Sequence, residues 1–324
     1  MSKRILSLAL TVLLTAMLSA CASRTEVCEN CINRTDERLM DAAAALYPDA
    51  VKRIIEEGAY VNAKDAFGET PLMKALRQPE SKVMQSMRPM QNTVEILLES
   101  GASIRARNKH GVETLELVLQ TNDVDTISLF DTRMRRRERD AMFMRALAAQ
   151  QFEIGVYLLK TGANPEQTNE KKQSPLHFAV NTPQPNIELL ALLLETGNVN
   201  LIDDYGSSPL MVACANAAPV EVIKTLLDKG ADLKSRINGN SLLWLALTAQ
   251  NENVDLVKFL LGSGFDANER DAAGIPLLVL MAKADRANSA LTLIDAGADV
   301  SVLDNFGVGA YRSRLNIATP GSDN

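Results

Sequence analysis

The sequence of 324 residues contains few aromatic side chains. Aromatic residues make up 4% of the chain, whereas hydrophobic residues as a whole make up 46%. A core of that size must therefore consist mainly of Leu, Ile, Val, Ala and Met. This composition argues against an all-β sandwich, whose strands favour β-branched and aromatic residues, and it favours an all-α fold.

Catalytic motifs are also lacking. The glycines form no phosphate-binding loop, and neither a His-Glu-x-x-His helix nor a nucleophile elbow occurs. The chain has only two histidines, His110 and His177, so no acid–base partner for a Ser or Cys nucleophile stands out. We therefore expect a protein that is not an enzyme, with no catalytic residue, no cofactor and no metal.

An excess of positive charge is absent as well. The formal net charge is −6 at pH 7. Removal of residues 1–20 takes away Lys3 and Arg4 and no acidic residue, which changes this charge to −8. Nucleic-acid binding requires a dominant basic face, so we expect no nucleic-acid partner.

The first 20 residues have the pattern of an export signal. Lys3 and Arg4 precede an apolar run, residues 5–17, that is too short for a comfortable membrane span. The segment ends with Leu18-Ser19-Ala20-Cys21, which resembles the lipobox of bacterial lipoproteins.

This resemblance implies that residues 1–20 are cleaved and that Cys21 carries the lipid. It also implies an outer-membrane location facing the periplasm, because Ala22 rather than Asp follows the cysteine. Residues 21–36 then form a lipid-anchored tether in the cell envelope, since two or more acyl chains give stable attachment.

Three further cysteines follow the lipid site. Cys28 and Cys31 form Cys-Glu-Asn-Cys, and in an oxidising compartment such a pair favours a disulfide. Free thiols, or a redox or metal site, remain open alternatives. Cys214 lies in a predicted helix and is expected to be a small core residue.

Internal repetition indicates the fold. Two branched aliphatic residues, two further residues and a glycine recur seven times. Each aliphatic pair suits the buried face of a helix, and each glycine suits the left-handed end of that helix. The last four intervals are 35, 33, 34 and 33 residues. The glycines are Gly58, Gly101, Gly162, Gly197, Gly230, Gly264 and Gly297.

A second marker recurs in phase with the first. It is clearest in Thr70-Pro71-Leu72, Ser174-Pro175-Leu176-His177 and Ser208-Pro209-Leu210. Ser or Thr suits a helix cap, and Pro suits the first helical turn. Together with Gly-Ala-Asp at the other helix end, this marker resembles the ankyrin repeat.

The resemblance implies an all-α ankyrin-repeat solenoid of about eight helix-turn-helix units over residues 37–315, followed by a disordered tail, residues 316–324. The first unit, Leu39 to Asn62, is expected to retain mainly its second helix. In this family the histidine of the second marker tethers backbone, which implies a structural role for His177. We expect Trp244, which replaces that histidine in its unit, to be buried between helices.

Turn tips and the concave face are the surfaces that the resemblance offers to a partner. Aromatic and arginine side chains usually dominate interface energies. Six candidates are Phe67, His110, Lys171, Lys172, Tyr205 and Phe306. Four more are Arg133, Arg135, Arg136 and Arg137, which belong to the most highly charged stretch, residues 131–140, called the basic run below. The arginines fall where the turn of the fourth unit is predicted. They could equally belong to a solvated helix start that pairs with Glu138 and Asp140.

An insertion lengthens the second unit, because the interval from Gly58 to Gly101 is 43 residues. It contains Met84, Met87 and Met90. Packing of these methionines, an adaptable contact surface and a soft-metal site are all compatible with this pattern.

These features predict a monomeric, envelope-tethered protein that binds another protein of the envelope, as an adaptor, an inhibitor or an immunity-type protector. One alternative is a redox or metal-handling periplasmic protein that uses Cys28, Cys31 and the methionine insertion. Another is a structural protein that holds an envelope polymer through its arginines.

Overall fold

The computed structural model describes residues 33–77 and 88–302, and the regular secondary structure of these residues is helical. They contain 16 α-helices, one short 3-10 helix and no β-strand. The predicted all-α fold is therefore confirmed. The chain divides into two compact units, Met1–Met134 and Arg135–Asn324.

Three helix pairs make up the described part of the first unit. The first helices of successive pairs contact one another, and so do the second helices. The helices are α1 (Arg34–Ala44), α2 (Pro48–Glu56), α3 (Pro71–Leu76), α4 (Arg88–Glu99), α5 (Thr114–Gln120), α6 (Val124–Ser128) and a 3-10 helix, Asp131–Arg133. Each pair buries its apolar face against the next, which is the arrangement of a stacked repeat.

Five helix pairs make up the described part of the second unit. The first helices α7, α9, α11, α13 and α15 contact one another in sequence. The helices are α7 (Arg136–Ala148), α8 (Phe152–Lys160), α9 (Pro175–Ala179), α10 (Ile187–Thr196), α11 (Pro209–Ala215), α12 (Val220–Asp228), α13 (Leu242–Thr248), α14 (Val254–Gly262), α15 (Leu277–Lys283) and α16 (Ala287–Asp295).

Helix starts lie where the second marker predicts them. The Thr70 hydroxyl accepts a hydrogen bond from the Met73 backbone N–H at 3.3 Å, and Ser208 accepts one from Met211 at the same distance. Pro71 and Pro209 occupy the first helical turn, where the missing N–H has no partner to lose.

The first repeat differs from the prediction. It contains both of its helices, α1 and α2, whereas we expected mainly the second. Helix α1 begins at Arg34, because Asn33 caps it by accepting hydrogen bonds from Thr35 and Asp36. Asn33 is a stronger start signal than the apolar pattern, which begins only at Leu39.

A recurring asparagine joins neighbouring repeats within each unit. The Asn200 amide donates to the Gly230 carbonyl at 2.8 Å and accepts from the Asp232 N–H at 2.9 Å. The same two bonds link Asn62 to Gly101 and Ser103, and Asn268 to Gly297 and Asp299. At these three points, one amide thus ties the loop after a second helix to the equivalent point of the next repeat.

Two side chains of the second unit were assigned to the core from sequence. Cys214 is fully buried, and burial raises the pKa of its thiol to about 12, so the prediction of an inert core residue is confirmed. Trp244 differs from the prediction, because it is only partly buried. It occupies the position that corresponds to His177.

Candidate functional site: the finger tips

Hairpins link the second helix of one repeat to the first helix of the next, and we call them fingers. Fingers 1 and 2, residues 65–69 and 108–112, belong to the first unit. Fingers 3 to 6 belong to the second unit and comprise residues 169–173, 203–207, 237–240 and 271–275. Isolated β-bridges close the bases of some of them, such as Arg107 with Glu113.

The finger tips share one local construction. In finger 1, the Asp65 carboxylate accepts hydrogen bonds from the backbone N–H groups of Phe67, at 2.9 Å, and Glu69, at 2.8 Å. Asn108, Asn169, Asp203 and Asp271 make the same pair of bonds in fingers 2, 3, 4 and 6. An Asp or Asn at this point fixes a tight turn from within.

Four of the predicted candidates therefore occupy equivalent positions. Phe67, His110, Lys171 and Tyr205 each follow the turn-forming residue by two, at the exposed tip. The Phe67 and Tyr205 side chains are 59% and 57% exposed. More than half of each ring-bearing side chain is therefore accessible to a partner.

Neighbouring tips are joined by backbone hydrogen bonds. The Lys109 N–H donates to the Phe67 carbonyl at 2.9 Å, and the Asp204 N–H donates to the Lys171 carbonyl at 3.0 Å. Gly68 is required at the first of these contacts. Its φ is 77°, and a Cβ there would lie 3.0 Å from the Lys109 nitrogen. The tips of fingers 1 and 2 in the first unit, and of fingers 3 and 4 in the second unit, are thus held in fixed register.

Lysines accompany both exposed rings. In the first unit, the Lys74 ammonium lies 5.9 Å from the centre of the Phe67 ring. In the second unit, Lys171 lies 5.3 Å from the centre of the Tyr205 ring, and Lys172 pairs with Asp204 at 2.8 Å. A side-chain hydrogen bond with Tyr205 raises the pKa of Lys171, and a side-chain hydrogen bond with Asp204 raises the pKa of Lys172. They orient the rings and add positive charge beside them.

Lys172 stands where other fingers have glycine. Gly68, Gly111 and Gly206 occupy the equivalent left-handed position, and Lys172 adopts it with a φ of 57°. A non-glycine residue is disfavoured in this conformation. Finger 3 therefore keeps a charged side chain at a local cost in stability.

A buried carboxylate anchors finger 1, and sequence reasoning missed it. Glu69 is 4% exposed and contacts the Lys74 ammonium at 3.0 Å, the Arg77 guanidinium and the Asn108 amide at 3.3 Å. Lys74 also pairs with Asp65 at 2.7 Å. The cluster connects finger 1, helix α3 and finger 2.

The pKa values in this cluster show that the ion pairs outweigh burial. Burial alone raises the pKa of Glu69, but hydrogen bonds and charge from Lys74 and Arg77 lower it below its usual value. The pKa of Asp65 is lowered in the same way. Burial alone lowers the pKa of Lys74, and its two carboxylate partners raise it.

His177 performs the corresponding task in the second unit. Its Nδ1 accepts from the Ser174 backbone N–H at 3.2 Å, which places the proton on Nε2, and Nε2 lies 3.0 Å from the Ser207 carbonyl. Burial lowers the pKa of His177. A neutral histidine therefore ties helix α9 to finger 4, and the predicted structural role is confirmed.

The basic run does not form a finger, and the prediction that it lies in a turn is wrong. Arg133 belongs to the 3-10 helix of the first unit, and Arg136 and Arg137 begin helix α7 of the second. The link between α6 and α7, residues 129–135, includes the 3-10 helix and leaves no room for a hairpin.

The contacts of the run agree with a helix start. The Arg135 backbone N–H donates to the Glu138 carboxylate at 2.7 Å, and the Arg136 guanidinium lies 4.0 Å from Asp140. Glu138 also places negative charge at the positive end of helix α7. The side chains of Arg135, Arg136 and Arg137 are nevertheless exposed, so a contact with a partner remains a prediction.

Several basic residues in or directly before fingers 1 and 2 were not predicted as site residues. Lys64, Arg105, Arg107 and Lys109 are all exposed. For Arg105, Arg107 and Lys109, the signal that could have found them is the concentration of positive charge in Arg-Ala-Arg-Asn-Lys.

The remaining predicted residues lie outside the described part of the chain. They are Cys21, Cys28, Cys31, Phe306, Met84 and Met87. Met90 is described and is 2% exposed, which agrees with the packing interpretation for that methionine. The described residues contain no group of three or more His, Cys, Asp or Glu side chains arranged to hold a metal ion.

Within residues 33–77 and 88–302, none of the helices combines the length and apolar character that a membrane crossing requires.

Comparison with protein families identifies the repeats. Residues 143–237 match a model of three ankyrin repeats, and residues 238–272 match a model of one ankyrin repeat. The helix pairs within residues 143–272 therefore match ankyrin repeats, and the all-α fold is that of an ankyrin-repeat array. Such repeats serve as modules of protein–protein interaction.

Curated proteins with similar sequences are much longer than this chain. E3 ubiquitin-protein ligase KEG of Arabidopsis thaliana is 26% identical over an alignment of 299 positions. The alignment covers 83% of this chain and 17% of the ligase. A putative ankyrin repeat protein of Fowlpox virus is 27% identical over 53% of this chain and 25% of its own length. The mitochondrial disaggregase of Bos taurus is 30% identical over 52% of this chain and 25% of its own length. The chain thus spans a quarter or less of each of these relatives.

Proposed function

We propose that this protein is an envelope-tethered interaction module that binds another protein through its finger tips. The observation that carries the proposal is the equivalent placement of Phe67, His110, Lys171 and Tyr205 at exposed tips. Each tip is fixed by an internal turn, and neighbouring tips are joined through the backbone. A partner therefore meets a surface that needs little ordering, which favours binding.

Affinity capture tests this proposal. The full chain, with its lipid site retained, serves as bait in detergent-solubilised envelope extract, and bound proteins are identified by mass spectrometry. The double change Phe67→Ala and Tyr205→Ala removes one exposed ring from each unit. We expect it to reduce the captured partner at least about tenfold, because exposed rings at interfaces act as anchors.

The matched control changes Tyr47→Ala and Leu291→Ala. These side chains are 64% and 48% exposed, but they lie away from the fingers. Capture should be unchanged in this variant. Equal recovery of the partner by the ring variant and the wild type would count against the finger tips as the binding surface.

The tether is the second part of the proposal. Leu18-Ser19-Ala20-Cys21 supports lipid attachment at Cys21 and an outer-membrane location facing the periplasm. With Cys21→Ser, radiolabelled palmitate should no longer enter the protein, and the protein should leave the membrane fraction. Labelling that persists in this variant would rule out Cys21 as the lipid site.

The activity of the partner when it is bound to this protein distinguishes an adaptor from an inhibitor or an immunity-type protector. An inhibitor or protector reduces the activity of the captured partner when the two are mixed in equal amounts. An adaptor leaves that activity unchanged and brings a third protein into the complex.

A further inference from the structure

We infer that fingers 1 and 2 form a basic recognition surface for an acidic segment of the partner protein. This inference rests on the proposed function and specifies the chemistry of the partner in the first unit. We call the surface the basic edge. It consists of Lys64, Arg105, Arg107, Lys109 and His110, with the Phe67 ring beside them, and all six side chains are exposed.

The basic edge is held together by the backbone of two fingers. The Lys64 ammonium donates to the Arg107 carbonyl at 3.2 Å, and the Lys109 N–H donates to the Phe67 carbonyl at 2.9 Å. The Arg105 guanidinium donates to the Arg133 carbonyl at 3.0 Å. The charged groups therefore sit on a fixed frame, not on a loose loop.

The neighbouring carboxylates do not neutralise the edge. Lys74 and Arg77 pair with Asp65 and Glu69, so these two acids are already compensated. Glu113 pairs with Arg107 at 2.6 Å. Among the described residues, Lys64 and Lys109 have no carboxylate partner. A net positive strip thus remains on a chain whose formal charge is −6.

A short acidic protein segment fits this strip better than a nucleic acid or an anionic membrane. Salt screens charges over about 10 Å, so a short segment at the edge interacts mainly with the local basic side chains. A long polyanion or a membrane surface also meets the acidic remainder of the chain. Complementary charge confined to one edge is typical of steering and specificity in protein association.

Binding of a fluorescein-labelled decaglutamate peptide to the purified full chain, measured by fluorescence anisotropy, tests the inference. We expect measurable binding at 50 mM salt and at least tenfold weaker binding at 300 mM salt. The double change Lys64→Glu and Lys109→Glu should weaken the binding at 50 mM salt at least tenfold. Absence of decaglutamate binding by the wild type would overturn the inference.

The matched control is Lys52→Glu with Lys258→Glu, which changes the net charge equally at exposed positions on α2 and α14. It should bind decaglutamate within twofold of the wild type. Equal weakening in both variants would show that total charge, not the edge, attracts the peptide. Tighter binding to vesicles with 30% phosphatidylglycerol, or to a single-stranded oligonucleotide, would also contradict an acidic protein segment.

Capture of the partner separates this inference from the proposed function. Loss of capture with both the Phe67/Tyr205 variant and the Lys64/Lys109 variant supports both. If the ring variant loses the partner and the lysine variant retains it, the finger tips bind and the acidic segment is wrong. Retention by both variants overturns both.

Discussion

Glu69 shows how a single buried charge supports the candidate surface. It is the last residue of finger 1, and its carboxylate contacts Lys74 and Arg77, which follow that finger, and Asn108 of finger 2. A buried charge is stabilising only when it is paired, and removal of its partners is costly. The position of the basic edge therefore depends on a buried residue that is not part of the edge.

Replacement of Glu69 by Gln should lower the free energy of unfolding at pH 7 by about 1–3 kcal/mol, because hydrogen bonds to charged groups are lost. The pKa of Glu69 in the folded protein lies below its usual value of 4.5. Its contribution is therefore complete above about pH 4.5 and is lost as the pH falls below that value. The variant should accordingly show a shallower loss of stability between about pH 5 and pH 3.

Urea unfolding followed by circular dichroism, at a series of pH values, measures both effects. Glu57→Gln is the control, because Glu57 pairs with Arg38 at the surface, where ion pairs contribute little. A Glu69→Gln protein as stable as the Glu57→Gln protein at pH 7 would show that the cluster does not support the fold.

At the scale of the elements, the repeating signals were predictable from sequence. The capped helix starts at Thr70, Ser174 and Ser208 lie where the Ser/Thr-Pro-Leu marker places them. Glycines such as Gly162, with a φ of 103°, end the second helices. These signals are local, since a cap or a left-handed residue depends on a few neighbours in the chain.

The departures from the repeat were not predictable in the same way. The start of α1 depends on the Asn33 cap, which precedes the apolar pattern. The basic run was placed in a turn because the repeat phase was extended across the third and fourth repeats. There the link of residues 129–135 forms a 3-10 helix instead of a finger. A repeat length taken from the well-conserved repeats of this chain therefore misplaces residues where one repeat is shorter than the others.

The candidate site was predictable at its tips and not at its support. Phe67 and Tyr205 were found because an aromatic residue before a glycine stands out in a polar turn. The hydrogen bond between Lys64 and Arg107 and the one between Asn108 and Glu69 each join residues about 40 positions apart, in different repeats. Sequence spacing alone does not show which side chains of two repeats meet.

At the scale of the whole molecule, the distribution of charge is more informative than its sum. The formal charge of −6 argues against a nucleic-acid partner. The first unit nevertheless displays a basic edge, and the second unit displays Lys171 and Lys172 at one finger tip. A standard interface of about 1,600 Å² requires contacts from several neighbouring elements. Adjacent fingers in register provide such a surface within either unit.

Hydrogen exchange of the full chain, free and bound to the captured partner, tests the central claim most directly. We predict slower amide exchange on binding in the fingers, residues 65–69, 108–112 or 203–207. We predict little change in α10, α14 and α16, which are second helices of their repeats and are called the outer helices here. Protection confined to those outer helices in a stoichiometric complex would contradict a partner that binds at the finger tips.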